Sequence, residues 1–272
     1  MSRLFVFGCS FTNYVWPTWA DLLSLEFDYY ENWGIPGIGN RAILERLTEC
    51  HIRNKLTKDD TVIVQWSSHL RNDWYKDFYN KDIGNIEGWV VEFESPLWTI
   101  SEQVYKKIFS ERAFVLHTLN HIVLAQSLLK STDCRWFMTS MWDIKSLGYE
   151  SKNIWDEYPE FKIYEEHIWK DYKNNWLPNL KDTIKKYPQL QWSFNDVVDN
   201  HPSPEQHQIW LNQYLRPKLE LGNPLDIQKE IVDELTRFKK DNKITYDEFC
   251  NLSENTDLFD KRIKKSKKDY GF

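Results

Sequence analysis

Residues 3–12 read Arg-Leu-Phe-Val-Phe-Gly-Cys-Ser-Phe-Thr, and they decide how the rest of this 272-residue chain is read. Four consecutive apolar residues stop at Gly8. A half-buried strand would alternate apolar and polar side chains, whereas an unbroken run fits a parallel strand covered on both faces. Ser10 then falls just beyond the strand's carboxyl end, where open parallel sheets place their ligands.

Working outward, the same reading predicts further strands at 27–33, 61–66, 136–140 and 190–194. The stretch Thr61-Val-Ile-Val-Gln-Trp66 is the clearest, being rich in β-branched residues. Helical spacing falls between them: Trp19, Leu22, Leu23 and Leu25; then Ile43, Leu44, Leu47 and Ile52; then a long helix over 102–130; then 206–219. Alternating strands and helices predict an α/β fold, three-layer α/β/α, with a five-stranded parallel sheet in flavodoxin-like order. The predicted α/β domain covers 1–222, with irregular aromatic insertions near 74–100 and 142–188.

Past Gly222-Asn-Pro224 no strand signal remains, and 223–272 reads as a helical extension. Ile227, Ile231, Leu235 and Phe238 form one apolar stripe there, which has to bury against the domain or a partner subunit. The extension is expected to be dispensable for the domain's fold. If exposed, the stripe would mediate a homo-oligomer through the C-terminal helices. The basic run at 261–268 reads as a solvated helix end.

Composition narrows the function classes. A net charge of −6 argues against general nucleic-acid binding. No apolar stretch approaches a membrane span, and the run from Leu4 is cut too early for a secretion signal. Cys9, Cys50, Cys134 and Cys250 have no metal-ligand spacing, so they read as reduced thiols in a cytoplasmic setting. The 14 Trp residues are spread along the whole chain, which fits packing better than a dedicated stacking surface.

Two segments carry chemistry. Gly8-Cys-Ser-Phe-Thr12 puts a hydroxyl at a strand end, near backbone N–H groups and, if a helix follows, its positive end; a bland reading makes Ser10 that helix's N-cap. Asp199-Asn-His201-Pro-Ser-Pro-Glu-Gln-His207 supplies a base of suitable pKa and a carboxylate two residues earlier to orient it. The same loop also reads as a helix start, with Ser203 as N-cap and Pro204 at the first helical position, and the two readings are compatible. His117 and His121 have metal-pair spacing but no third ligand, residues 242–249 lack the first ligands of a calcium loop, and Gly34, Gly37 and Gly39 follow the wrong strand for a dinucleotide site.

Together these segments resemble the SGNH/GDSL hydrolase superfamily. Gly8-Cys-Ser-Phe-Thr12 is similar to its first block, Asn32-Trp-Gly-Ile-Pro-Gly37 to its second, and the Asp-x-His-Pro segment to its last. The opening through Trp16-Pro-Thr-Trp19 also resembles uncharacterised SGNH-like proteins of marine bacteriophages. The resemblance implies a serine ester hydrolase, an esterase or deacetylase whose substrates include O-acylated carbohydrate, with Ser10, His201 and Asp199 catalytic. It implies an oxyanion hole from the N–H groups of Ser10 and Gly37, completed by His69 or Asn72. No metal or organic cofactor is implied.

Two positions depart from the family pattern. Cys9 stands where Asp is usual. The third block, normally Gly-x-Asn-Asp after the third strand, reads Ser67-Ser-His69-Leu-Arg71-Asn-Asp73. Aligned on the strand, His69 replaces the Asn, and the literal Asn72 falls three residues late. Loss of one oxyanion donor can cost about 10²–10³ in rate. A rival expectation is therefore a weakly active or inactive protein of this fold, serving as an interaction or virion component.

Overall fold

The computed structural model describes residues 2–80, 84–92, 110–144, 158–195, 197–241 and 244–255; for 72, 74–80, 84–92 and 251–255 it describes the backbone alone. Parts of both aromatic insertions, residues 102–109 of the predicted long helix and the basic run at 261–268 lie outside the described residues.

In chain order the strands are β1 (Arg3–Phe7), β2 (Tyr29–Asn32), β3 (Asp60–Trp66), β4 (Asn72–Asn80), β5 (Gly84–Glu92), β6 (Arg135–Ser140), β7 (Ser193–Phe194) and β8 (Val197–Val198). The helices are α1 (Trp19–Ser24), α2 (Asn40–Asn54), α3 (Glu111–Ser131), α4 (Glu160–Glu165), α5 (Leu180–Lys186), α6 (Pro204–Trp210, running on through Leu211–Leu215 to Arg216–Leu219), α7 (Asp226–Asp241) and α8 (Tyr246–Asn255).

One parallel sheet with the order β2-β1-β3-β6 organises the chain. Arg3 pairs with Tyr29 on one side and Asp60 on the other, and Thr61 pairs with Arg135. Helices α2 and α3 pack together as one layer, while α1, α5 and α7 all pack on α6 in a second. Leu4, Phe5, Val6 and Phe7 are all fully excluded from water, which is what the unbroken apolar run predicts.

The sheet has four strands among the described residues, not five. Residues 190–194 do not join it: Ser193–Phe194 pairs antiparallel with Val197–Val198 in a small hairpin, with Asn195 in the left-handed region. The place beside β6 is taken instead by a segment of the second insertion. There the Leu177 N–H bonds the Met138 carbonyl at 2.9 Å and Trp176 forms a single parallel bridge to Met138, after which Pro178 cannot extend the ladder. Residues 190–194 go elsewhere because Trp192 and Phe194 bury against Trp16 and Phe249. Residues 75–80 and 84–92, expected to be irregular, lie in the antiparallel strands β4 and β5.

Gly8 marks a close approach. A Cβ there would fall 2.1 Å from the Thr12 hydroxyl, which donates to buried Gln65 at 2.6 Å, and 3.1 Å from the Gln65 carbonyl of β3. No helix among the described residues is long and apolar enough to cross a membrane.

The apolar stripe of the extension is buried within the chain. Ile231, Val232 and Leu235 of α7 and Phe249 of α8 belong to the main core cluster. Buried Arg216 adds a polar clasp, donating to Glu26 and to the Gly222 and Asn223 carbonyls, while Gln228 of α7 donates to Glu26 and to the Leu22 carbonyl of α1. Each such apolar side chain contributes about 1.5–3 kcal/mol, so four approach a typical domain's whole stability. Truncation after Asn223 is therefore expected to yield aggregated protein with no cooperative thermal transition. A soluble truncated monomer that unfolds at the full-length temperature would show that these contacts carry little.

Candidate active site

Ser10 sits in a tight turn directly after β1. The N–H groups of Thr12 and Asn13 both bond the Cys9 carbonyl, at 2.9 and 3.1 Å. Ser10 does not cap a helix: α1 begins nine residues later, with Thr18 as its N-cap in a reciprocal capping box with Asp21. Pro17 disfavours helical backbone at Trp16, which delays the helix. No helix starts at Ser10 itself, so the hydroxyl is presented by a turn.

The second segment starts where the β7–β8 hairpin closes, the Asp199 N–H bonding the Trp192 carbonyl at 2.9 Å. Downstream, Ser203 caps α6 in a second capping box with Gln206, and Pro204 occupies the first turn. The Pro202 carbonyl accepts from the buried Trp16 indole at 2.9 Å, tying this loop to the chain just after Ser10. Held from both ends, the loop brings together side chains 191 residues apart in sequence. His201 Nε2 lies 2.9 Å from Ser10 Oγ, and His201 Nδ1 lies 2.7 Å from Asp199 Oδ1.

The His201 backbone N–H also donates to Asp199 Oδ1, at 2.7 Å. Tyr14 stacks on the imidazole with ring centroids 3.9 Å apart, and Phe11 meets it edge-on at 5.6 Å. Tyr14 donates to the other Asp199 oxygen, Oδ2, at 3.0 Å. Burial pushes the Asp199 carboxyl up, but hydrogen bonds from the side chain and backbone of His201 and from Tyr14 outweigh it. The net effect holds Asp199 below the usual carboxylate range. Ser10 is almost buried, while the His201 side chain keeps 25% of its surface exposed. Beside His201 a groove of about 550 Å³ runs between the β7–β8 hairpin and the start of α8, with Val197 and Val198 prominent on its rim. Tyr14, Phe11 and Tyr246 carry no sequence signal that separates them from the other aromatics.

No protein-family model and no curated protein matches this sequence. Solved structures do resemble it. One is a member of the lipolytic G-D-S-L family from Veillonella parvula: 10% identity over 78% of this chain and 95% of that one, TM-score 0.42. Another is a catalytic mutant of an acetylxylan esterase from Geobacillus stearothermophilus: 12% identity over 81% of this chain and 94% of that one, TM-score 0.44.

Among the remaining site residues, Gly37 lies in the Ile35-Pro-Gly-Ile38 turn with φ of 88°, a conformation that suits glycine at the third position of a type II turn. Among the described residues, no hydrogen-bond acceptor is found for the backbone N–H of Ser10 or of Gly37. His69 is buried, with Nε2 3.4 Å from Glu111 and no partner for Nδ1 among the described residues; burial lowers its pKa. It opens with Arg41, Arg71, His117 and His121 on a second pocket of about 360 Å³. No metal-binding cluster is found among the described residues. The Asn72 backbone starts β4; its side chain lies outside the described residues.

Asp73 has a structural task. It accepts the N–H groups of Gly39 and Ala42 at 2.6 and 2.9 Å, capping α2, whose own N-cap residue has no side chain. Burial raises its carboxyl to about 6, partly opposed by those backbone donors. Because the folded pKa lies above the unfolded value of 3.8, the native state holds the extra proton between these values. The Asp73 contribution to stability is thus present at low pH and lost as pH rises from about 4 to about 6. Denaturant unfolding across that window should show this slope in the wild type and its loss in Asp73→Asn. An identical slope in both proteins would remove Asp73 as its source.

Proposed function

We propose that this chain is a serine ester hydrolase of the SGNH/GDSL type, an esterase or deacetylase whose substrates include O-acylated carbohydrate. What carries the reading is the continuous hydrogen-bonded line from Ser10 Oγ through His201 to Asp199, with bonds of 2.9 and 2.7 Å. A serine hydroxyl is a poor nucleophile until a base takes its proton, and this line supplies the base and the carboxylate that fixes its tautomer. Ser10 Oγ attacks the acyl carbon while His201 Nε2 accepts its proton. Asp199 stabilises the resulting imidazolium, and His201 then returns the proton to the departing alkoxide. A water, deprotonated by His201, cleaves the acyl-enzyme.

The N–H groups of Ser10 and Gly37 receive the oxyanion, with His69 or Asn72 as third donor. His69 has the aligned position, whereas Asn72 has the side chain the family pattern uses and a neighbour, Asp73, that ties the strand start to α2, next to the second block. Removing the true third donor costs about 10²–10³ in kcat. His69→Ala and Asn72→Ala, compared on one short-chain acyl ester, should therefore separate by that factor, and equal rates would show that neither serves.

Ser10→Ala should reduce hydrolysis of p-nitrophenyl acetate to background, and Asp199→Asn should keep the fold yet lose activity by about 10⁴. With Asp199 ionised throughout, an imidazole base predicts activity that rises with pH in one step. A wild type no faster than Ser10→Ala would overturn the proposal, and a profile flat from about pH 5 to 8 would exclude His201 as the base.

A further inference from the structure

Tyr14 meets the candidate site twice. Its ring lies against the His201 imidazole, and its hydroxyl donates to Asp199 Oδ2. Both donors of His201 go to Oδ1, so Tyr14 occupies the carboxylate oxygen that the histidine does not use. The Tyr14 hydroxyl also lies 2.9 Å from that of Tyr246, the first residue of α8. Tyr14 has one proton and gives it to Asp199, which leaves Tyr246 as donor to Tyr14.

We infer that Tyr14 and Tyr246 are positioning residues: a hydroxyl chain that locks the Asp199 carboxylate, and through it the His201 ring, so that the C-terminal helices form a working part of the catalytic site. The inference rests on the Ser-His-Asp reading above. A carboxylate turns readily about its last torsion, which is broad and two-fold, and a donor on each oxygen removes that freedom. The bond to Asp199 is charge-assisted, so it outweighs one between neutral groups. Burial raises the Tyr14 hydroxyl far above its ordinary range and Tyr246 to about 12, so both remain donors at any working pH. The far end of the chain is anchored, because Phe249, one turn along α8, packs on Trp16, Trp192 and Phe194.

The test uses Tyr14→Phe, Tyr246→Phe and the double variant in the full-length chain, since Phe keeps each ring in place. Two readouts are taken: kcat and KM on p-nitrophenyl acetate, and the downfield proton resonance of His201 Nδ1, assigned by its loss in His201→Gln. Tyr14→Phe should lower kcat about tenfold with KM within about twofold, and Tyr246→Phe should lower kcat about threefold. Both should move the resonance. Because the hydroxyls act in series, the double variant should be no slower than Tyr14→Phe. Folded single variants with wild-type kcat and an unmoved resonance would overturn the inference. So would a Tyr246→Phe that changes only the unfolding temperature. If the wild type is no faster than Ser10→Ala, the esterase reading fails by itself. The resonance still decides the hydroxyl chain then: a shift in both variants upholds it, and an absent or unmoved signal overturns it.

Discussion

β1 has no solvent face. Leu4 and Val6 project to one side of the sheet and Phe5 and Phe7 to the other, and helical layers exclude all four from water. A strand so enclosed has little freedom to slip, because a one-residue shift would break its ladders to β2 and β3 and turn every side chain to the wrong layer. The position of Ser10 follows from this constraint, since only Gly8 and Cys9 separate it from the strand. Gly8 lets the turn fold down against β3, where Thr12 reaches Gln65, and the hydroxyl of Ser10 is presented at the carboxyl edge of the sheet.

The partner loop has no strand of the main sheet beneath it and is held by other means. Trp16 bonds the Pro202 carbonyl, Trp192 and Phe194 close a small hairpin before Asp199, and a capping box fixes the first turn of α6 after His201. Aromatic packing supplies rigidity here that a ladder supplies at Ser10. The cluster of Trp16, Trp192, Phe194 and Phe249 draws on three separate stretches of chain, one of them in the C-terminal extension. The high Trp content therefore serves packing in this region, and does so next to the candidate site.

Two carboxylates, Asp73 buried and Asp199 partly so, show how desolvation and hydrogen bonding compete. Asp73 accepts two backbone donors and Asp199 three, from His201 and Tyr14, and burial wins at Asp73 whereas hydrogen bonds win at Asp199. Asp73 is the more deeply buried and has backbone amides as donors, with Arg71 nearby, whereas Asp199 is partly exposed and also faces an imidazole that can carry charge and the Tyr14 hydroxyl. Asp73 is suited to hold α2 in place, and Asp199 to stabilise a positive ring.

The sequence by itself determined whatever short-range chemistry controls. The apolar run of residues 3–7, the β-branched 61–66 stretch and the capping residues Ser203 and Pro204 act within a few residues of themselves, and each forms the element its pattern demands. Ser10, Asp199 and His201 were visible in the sequence as candidates by residue type, and folding brings them within hydrogen-bond distance of one another. Other features were decided by contacts between distant segments. Residues 190–194 have strand-like composition, but burying Trp192 and Phe194 against Trp16 and Phe249 outweighed a place beside β6, which Trp176 and Leu177 occupy instead. The helical stripe of α7 could have faced a partner, whereas in the fold Ile231 and Leu235 join the chain's own core and α7 packs on α6. Tyr14 and Tyr246 are two tyrosines among 14 until folding carries their hydroxyls to within 2.9 Å, because a hydrogen bond depends on position in space and leaves no periodicity in the chain.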